Sequence, residues 1–315
     1  MSNPLVSVVI ATRNRPHLLR LALASITAQQ GLPGQAVEAI VVNDGGTDLT
    51  GELSAAAEAG LLVRSLALPA QRGLPAARNV GIDAARGEFL AFLDDDDLYL
   101  PAHLRTAIEV LASGKADAAY TTCLISPVRI DPERSLPGFP ASMGYPFDPG
   151  LLSVANMIAV HSVVLRRPAR ARFDQGLDAL EDWDFWLRLS RDHGYRFAHI
   201  AEPGVIYHRI AGQASICGNT VSDAAALNRF GILVQRLWRR WPAPSARAAR
   251  FRAYLGVMYW HAFSLLAVGR PLDDLYFQYC LRILADAWAG SQAEDDIIDR
   301  IRHAVQGDSV AAHAA

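Results

Sequence analysis

Long apolar runs, paired cysteines and a strong net charge are all missing from this chain of 315 residues, and each gap closes off a class of function. The longest apolar stretch, Tyr254 to Gly269, covers about 16 residues and is interrupted by His261, short of the roughly 20 that span a bilayer. A buried helix in an appendage or a dimer interface is expected there; a peripheral membrane-surface helix flanked by Arg247, Arg250 and Arg252 is the alternative. Cys123, Cys217 and Cys280 lie far apart, with neither CxxC spacing nor an even number, so buried thiols in a reducing cytoplasm are expected. A formal net charge of -2 gives no overall attraction to nucleic acid or to an anionic membrane. The opening Met1-Ser2-Asn3-Pro4 has no basic region, long apolar segment or small-residue cleavage site behind it, so no signal peptide is expected. No G-x-G-x-x-G follows the first strand signal; Thr12-Arg13-Asn14-Arg15-Pro16 stands there and cannot make the turn of a dinucleotide-dependent oxidoreductase. The chain also has no internal repeat.

What is present is an alternation. Leu5 to Ala11 reads as an apolar strand, and Pro16 to Gln30 as a helix with proline in its first turn. Ala39 to Val42 (strand), Leu49 to Ala59 (helix), Leu62 to Leu68 (strand), Pro75 to Ala85 (helix) and Phe89 to Leu93 (strand) follow. Strands apolar throughout and separated by helices imply a parallel sheet covered on both faces. Ligands of such sheets bind beyond the carboxyl ends of the strands. Polar groups stand there: Thr12-Arg13-Asn14 after the first strand, Asn43-Asp44-Gly45-Gly46-Thr47-Asp48 after the second, and Asp94-Asp95-Asp96-Asp97 after the fourth. The last two have plain alternatives, since Asp44 with Gly45 makes a turn, Asp48 caps a helix, and four acids make a solvated capping loop. Together on one rim they suggest a polar ligand held through a cation, because crowded carboxylates repel until a hard divalent ion joins them.

These residues resemble the family 2 glycosyltransferases, over roughly residues 4 to 215. The resemblance rests on Val6 to Arg15, Ile40 to Gly46, Arg72 to Gly81, Gly87 to Asp97 and Glu181-Asp182-Trp183-Asp184-Phe185-Trp186-Leu187-Arg188-Leu189, in that order and spacing. It implies a GT-A nucleotide-sugar-binding fold with a mostly parallel central sheet, and a nucleoside-diphosphate sugar donor. By the same resemblance Thr12, Arg13 and Asp44 would line the nucleoside pocket, with Asp44 accepting from the base imide of uridine or thymidine. Gly73, Arg78 and Asn79 would lie near the ribose and diphosphate; for Arg78 the plain alternative is a surface arginine. Asp94 and Asp95 would contact ribose or metal, Asp96 would ligate Mn²⁺ or Mg²⁺, and Asp97 would position the loop. Asp182 would be the general base of an inverting transfer, with Glu181 and Asp184 as helix N-terminal acids.

The family pattern is also departed from. Many relatives end the catalytic domain with Tyr-Tyr-Arg-x-His; this chain has Tyr207-His208-Arg209-Ile210-Ala211, so Arg209 keeps its place near phosphate and alanine replaces the histidine. Arg72 stands where asparagine is common, which suggests a different donor preference. Six prolines from Pro127 to Pro149 indicate a long loop facing the acceptor. Met157 to Leu165 reads as a strand, with His161 as a satisfied structural histidine. The expected organisation is a glycosyltransferase domain over 1–222, a helical C-terminal appendage over 223–306 and a disordered tail over 307–315. The expected function is metal-dependent transfer from a UDP-sugar, or a dTDP-sugar, to a hydroxyl acceptor in glycan, polysaccharide or glycoconjugate synthesis. A noncatalytic nucleotide-sugar-binding or scaffold protein is the other reading.

Overall fold

The computed structural model describes residues 3–131, 138–210 and 218–304. They fall into two compact units, one of 1–146 with 158–208 and one of 147–157 with 209–315. In the first unit β1 (Val6–Thr12), α1 (Pro16–Thr27), β2 (Val37–Asn43), α2 (Thr50–Glu58), β3 (Leu62–Ala67), α3 (Leu74–Ala84) and β4 (Phe89–Phe92) follow the expected alternation. Then come β5 (Leu98–Tyr99), α4 (His103–Ala112), β6 (Ala118–Ser126) and β7 (Ala141–Met143), and, after the excursion of 147–157 into the second unit, β8 (Val163–Arg166), α6 (Glu181–Arg191) and β9 (Phe197–His208). That excursion carries the single-turn α5 (Pro149–Leu152).

The sheet runs β3-β2-β1-β4-β8-β6-β9-β5, with β7 on β6. Its β3-β2-β1-β4 half is parallel. The other half is mixed: β8 runs antiparallel to β4 and β6, β9 parallel to β6, and β5 antiparallel to β9. Parallel strands need both faces covered, and β1, β2 and β4 are buried almost throughout, Val8, Ile10, Ile40, Val41, Leu90 and Phe92 showing no more than 1% exposure. Each such side chain contributes roughly 1.5–3 kcal/mol by leaving water. One charge sits among them. The carboxylate of Glu38 on β2 accepts from the Ser7 hydroxyl at 2.6 Å, Arg64 Nε at 3.0 Å and Arg86 N at 2.9 Å, so its burial is compensated.

Two expectations need correction. The segment from Pro127 to Pro149 is not free of regular structure, because Ala141–Met143 pairs with Cys123–Ile125 as β7; residues 132–137 lie outside the described part. Met157 to Leu165 is not one strand either. A 3-10 turn over Val160–Ser162 precedes β8. There the Ser162 hydroxyl and amide both donate to the Ala159 carbonyl, at 2.7 and 3.0 Å, a local bond that competes with strand pairing.

The second unit is helical: α7 (Ala224–Arg240), α8 (Ala246–Ala267), α9 (Tyr276–Trp288) and α10 (Ile297–His303). Asp223 and Ser245 cap α7 and α8 by accepting from Ala225 N and Ala248 N. Phe251, Leu255, Met258 and Ala262 of α8 are buried, whereas Trp260 and Phe263 on its other side are exposed, so α8 is half covered. No described helix is long and apolar enough to cross a membrane. Arg252, 9% exposed, donates to the Ser153 carbonyl at 3.0 and 2.7 Å and to the Trp241 carbonyl at 2.6 Å, and Trp238 Nε1 donates to the Val154 carbonyl at 3.1 Å. These bonds hold 147–157 among the C-terminal helices. The expected tail, 307–315, lies outside the described residues.

The covering of β1 depends on a missing side chain in α3. A Cβ at Gly81 would stand 2.3 Å from Val9 Cγ1. Gly81→Ala is therefore expected to cost about 1–3 kcal/mol through overpacking, read as a lower urea midpoint; an unchanged midpoint would show that α3 can lift off β1 freely.

Candidate active site

Strand register brings the polar ends together. Thr12 pairs with Asn43, and Val9 with Phe92, so the residues after β1, β2 and β4 leave the sheet side by side. Asn43 shapes its own turn, accepting from Gly46 N at 2.8 Å and donating to the Thr47 carbonyl at 2.7 Å. Asp44, 6% exposed, accepts from Arg72 N at 2.7 Å and Gly73 N at 2.9 Å, one bond to each oxygen. It thereby fixes the approach to α3, whose N-cap Gly73 has φ 90° and so belongs to glycine. Asn79 of α3 is buried, and its amide is engaged twice with the backbone of Phe173, at 2.9 and 2.8 Å. Arg13 is exposed.

The aspartate run is ringed by positive and donor groups. Asp94 takes Arg78 Nη2 at 2.6 Å. Asp95 accepts from the Thr12 hydroxyl at 2.6 Å, and Arg15 Nη1 lies 3.2 Å from both Asp95 and Asp96. The Asp96 carbonyl receives Arg129 Nη1 at 2.5 Å and His208 Nδ1 at 2.6 Å. Since Ile130 N donates to His208 Nε2 at 3.1 Å, the His208 proton is on Nδ1. Burial and the nearby Arg129 push His208 down to about 4, which keeps it neutral. Asp97, 1% exposed, accepts from His208 N at 2.8 Å through one oxygen and faces His161 Nδ1 at 3.1 Å through the other.

Desolvation raises the carboxyls of Asp95, Asp96 and Asp97, and their mutual repulsion adds to it. Asp95 reaches about 6 although the Thr12 hydroxyl opposes the rise. Asp94 goes the other way: burial lifts it, but the Arg78 guanidinium, with His161 and Arg15 behind, outweighs burial and holds it low.

Asp94, Asp97 and His161 each offer a ligand atom within 4.8 Å of the others, and together they could hold a metal ion. Asp97 Oδ2 and His161 Nδ1 are buried and face each other without the alignment of a hydrogen bond, while Cys123 Sγ occupies His161 Nε2 at 3.4 Å. Two carboxylate oxygens and one imidazole nitrogen suit a divalent ion such as Mn²⁺.

Across this rim stands the start of α6. Trp183 and Trp186, both at most 1% exposed, anchor the helix. Leu180, its N-cap, sits at φ 61°, a left-handed conformation that costs a leucine about 1–2 kcal/mol. Glu181 is buried and takes Arg78 Nη1 at 2.7 Å. Asp182, next to it, is half-buried and accepts from Trp183 N at 2.8 Å. Asp184 is fully buried and paired with Arg188.

Known proteins resemble this chain in sequence and in fold. The family profile "Glycosyl transferase family 2" matches residues 7–156. The succinoglycan biosynthesis protein ExoO of Rhizobium meliloti is 32% identical over 267 residues, covering 75% of this chain and 72% of its own length. The chain belongs to glycosyl transferase family 2. The amylovoran biosynthesis glycosyltransferase AmsB of Erwinia amylovora is 25% identical over 213 residues, 65% of this chain and 69% of its own. Among solved structures, S. aureus TarS 1-349 in complex with UDP-GlcNAc gives a TM-score of 0.55 at 16% identity over 96% of this chain and 90% of that one. The mannosyltransferase PcManGT from Pyrobaculum calidifontis, in complex with GDP-Man and Mn2+, gives 0.54 at 16% identity over 98% and 89%. At such identities the likeness is one of fold, and the fold is GT-A.

In this family 2 glycosyltransferase Thr12, Asp44, Gly73, Arg78, Asp94, Asp95 and Asp96 therefore share one rim, and Arg78 links it to the turn that carries Asp182. Arg209 falls in the second unit and Ala211 outside the described residues. Sequence reasoning passed over Arg15 as a partner of the acids, and over His161 and Glu181 as members of the site. A count of charges would have found the first, since four adjacent carboxylates require cations. The other two are contacts between residues far apart in sequence.

The raised Asp95 carboxyl has a consequence for stability. Its folded value lies above its unfolded one, so the folded state is penalised as pH rises from about 4 through about 6, by on the order of 3 kcal/mol. Asp95→Asn is expected to raise the urea midpoint at pH 7 and to converge with the unsubstituted protein near pH 4. An equal difference at both pH values would show that the carboxylate is not the source.

Proposed function

We propose that this protein is an inverting transferase that moves a sugar from a nucleoside-diphosphate donor to an acceptor hydroxyl, in the synthesis of a polysaccharide or glycoconjugate. One observation carries the reading: a single buried arginine joins the aspartate run to the acidic head of α6. Donor-holding acids and a candidate base thus stand at one place on the carboxyl edge of the sheet. The pathway class is taken from the relatives, ExoO and AmsB being named for succinoglycan and amylovoran biosynthesis. UDP-sugars are the proposed donors, with dTDP-sugars next. TarS in complex with UDP-GlcNAc supports the first, whereas PcManGT in complex with GDP-Man shows that the fold also takes guanosine donors. The buried free thiols Cys123 and Cys280 suit a reducing, cytoplasmic setting.

In this reading Thr12, Arg13 and Asp44 line the nucleoside pocket. The Asp44 carboxylate has lone pairs left after its two backbone bonds, enough to accept from a base imide. The amides at the start of α3 favour the diphosphate, and Arg209 is retained as a candidate for its charge. A divalent ion, Mn²⁺ or Mg²⁺, held by the aspartate run with Asp96 as the expected ligand, would supply charge neutralisation for the departing diphosphate. The acceptor oxygen attacks the anomeric carbon, the bond from that carbon to the diphosphate oxygen breaks, and Asp182 takes the hydroxyl proton. A single displacement of this kind inverts the anomeric centre. A noncatalytic sugar-nucleotide binder would keep the acids yet need no base, and the substitutions below separate the two.

Asp182→Asn should lower turnover on the order of 10²-fold or more while leaving donor affinity intact, since the amide keeps the shape and cannot take the proton. Steady-state kinetics on UDP-sugars decide this, and near-normal turnover would remove Asp182 from the role. The anomeric coupling of the product, read by NMR, should show a β-linkage from an α-linked donor; retention would undo the single-displacement mechanism. Asp96→Ala should weaken UDP binding and abolish its Mn²⁺ dependence in calorimetry. If dependence survives there and is lost in His161→Ala, the ion belongs to the Asp94, Asp97 and His161 group.

A further inference from the structure

Arg78 is 2% exposed, and its two terminal nitrogens are divided between two carboxylates from distant parts of the chain: Nη2 on Asp94 at 2.6 Å, Nη1 on Glu181 at 2.7 Å. Its guanidinium also lies 5.4 Å from the centre of the Phe173 ring. Phe173 in turn stacks on Phe185 of α6 at 4.3 Å and is held by Asn79. A cation so enclosed and so neutralised differs from a free cation waiting for phosphate. Burial opposes its charge, and Asp94 and Glu181, with Asp182 behind them, more than restore it. The turn it grips is the one where Leu180 is held left-handed immediately before Glu181. A strained turn persists where its surroundings over-determine it, and the Glu181 anchor is one such constraint.

We propose that Arg78 is a positioning residue, a fork that ties the aspartate run to the first turn of α6 and so sets the separation between the leaving-group side of the site and Asp182. This rests on the proposed function for the roles of the two ends. Arginine suits the task because its planar fork can take one carboxylate on each arm, whereas a lysine ammonium is a single point charge. Reaction rate depends steeply on such spacing, an error of about 1 Å costing on the order of 10²-fold.

The test is kinetic and calorimetric, on the full chain. Arg78→Met should lower kcat by roughly 30-fold or more, with the donor KM and the UDP dissociation constant changed by less than about threefold. Arg78→Lys should recover only part of the loss. Glu181→Gln, which leaves Arg78 in place, should lower kcat roughly tenfold and leave UDP affinity unchanged. An arginine acting as a phosphate ligand gives the reverse: UDP affinity falls tenfold or more in Arg78→Met, and Glu181→Gln is silent. That result overturns the proposal, as does a lowered Tm with unchanged kcat per folded molecule, which marks a merely structural pair. Should Arg78→Met not fold, Glu181→Gln and a mutant cycle with Asp94→Asn still decide. The two substitutions should be non-additive in thermal unfolding, and additivity refutes the tie. A native protein that turns over no sugar nucleotide while the cycle remains non-additive overturns the proposed function and leaves the tie standing.

Discussion

Four carboxylates in succession at the end of β4 are the constraint around which the first unit is arranged. Three are held at raised proton affinity by burial and by one another, and several neighbouring elements answer with a cation or a donor. β1 answers with the Thr12 hydroxyl, the turn after it with Arg15, α3 with Arg78, the segment after β6 with Arg129, and β9 with the amide and ring of His208. Of these partners Arg15 grips through solvent-facing bonds, its side chain being 39% exposed, and so can be exchanged for another cation at modest cost. Arg78 and His208 are enclosed and cannot be. The acids therefore have a fixed floor and a replaceable lid of charge, the condition for binding an ion or an anionic ligand without rebuilding the site.

The parallel half of the sheet was legible because β1, β2 and β4 are buried on both faces and each connection is a helix of ordinary length. Boundaries differ only slightly between expectation and structure, as with Leu5 to Ala11 against Val6–Thr12. The short strands of the second half were read less well, Met157 to Leu165 being expected as one strand where only Val163–Arg166 is β8, and the reason is physical. A short antiparallel strand such as β7 or β8 is three or four residues long, and its apolar content does not distinguish it from a turn. The partners that make it a strand lie elsewhere in the chain, β6 for both. The 3-10 turn before β8 is held by the Ser162 amide and hydroxyl together, which no periodicity announces.

Within the site, residues that announce themselves by type and place were readable: the aspartate run, the Asn43-Asp44 turn, the acids of α6. Their assignments depend on tertiary contact and were not. Arg78 and Asn79 are adjacent in one helical turn and looked alike as donors to a ligand, yet one bridges two acids and the other clamps a backbone. His161 reads as an isolated histidine in an apolar segment, and only the fold sets it against Asp97 and Cys123.

The departure of 147–157 from the first unit changes what kind of object the C-terminal helices are. The polypeptide passes between the units at 146/147, 157/158 and 208/209. Ser153 and Val154, encoded before the last strands of the catalytic sheet, have their carbonyls satisfied by Arg252 and Trp238, encoded after them. The helical unit is thus no cassette. Helices exchanged as a block from residue 209 onward would lack 147–157, the segment whose carbonyls Arg252 and Trp238 engage. A chain stopped just after β9 would keep 147–157 and lose the Arg252 and Trp238 donors that hold it.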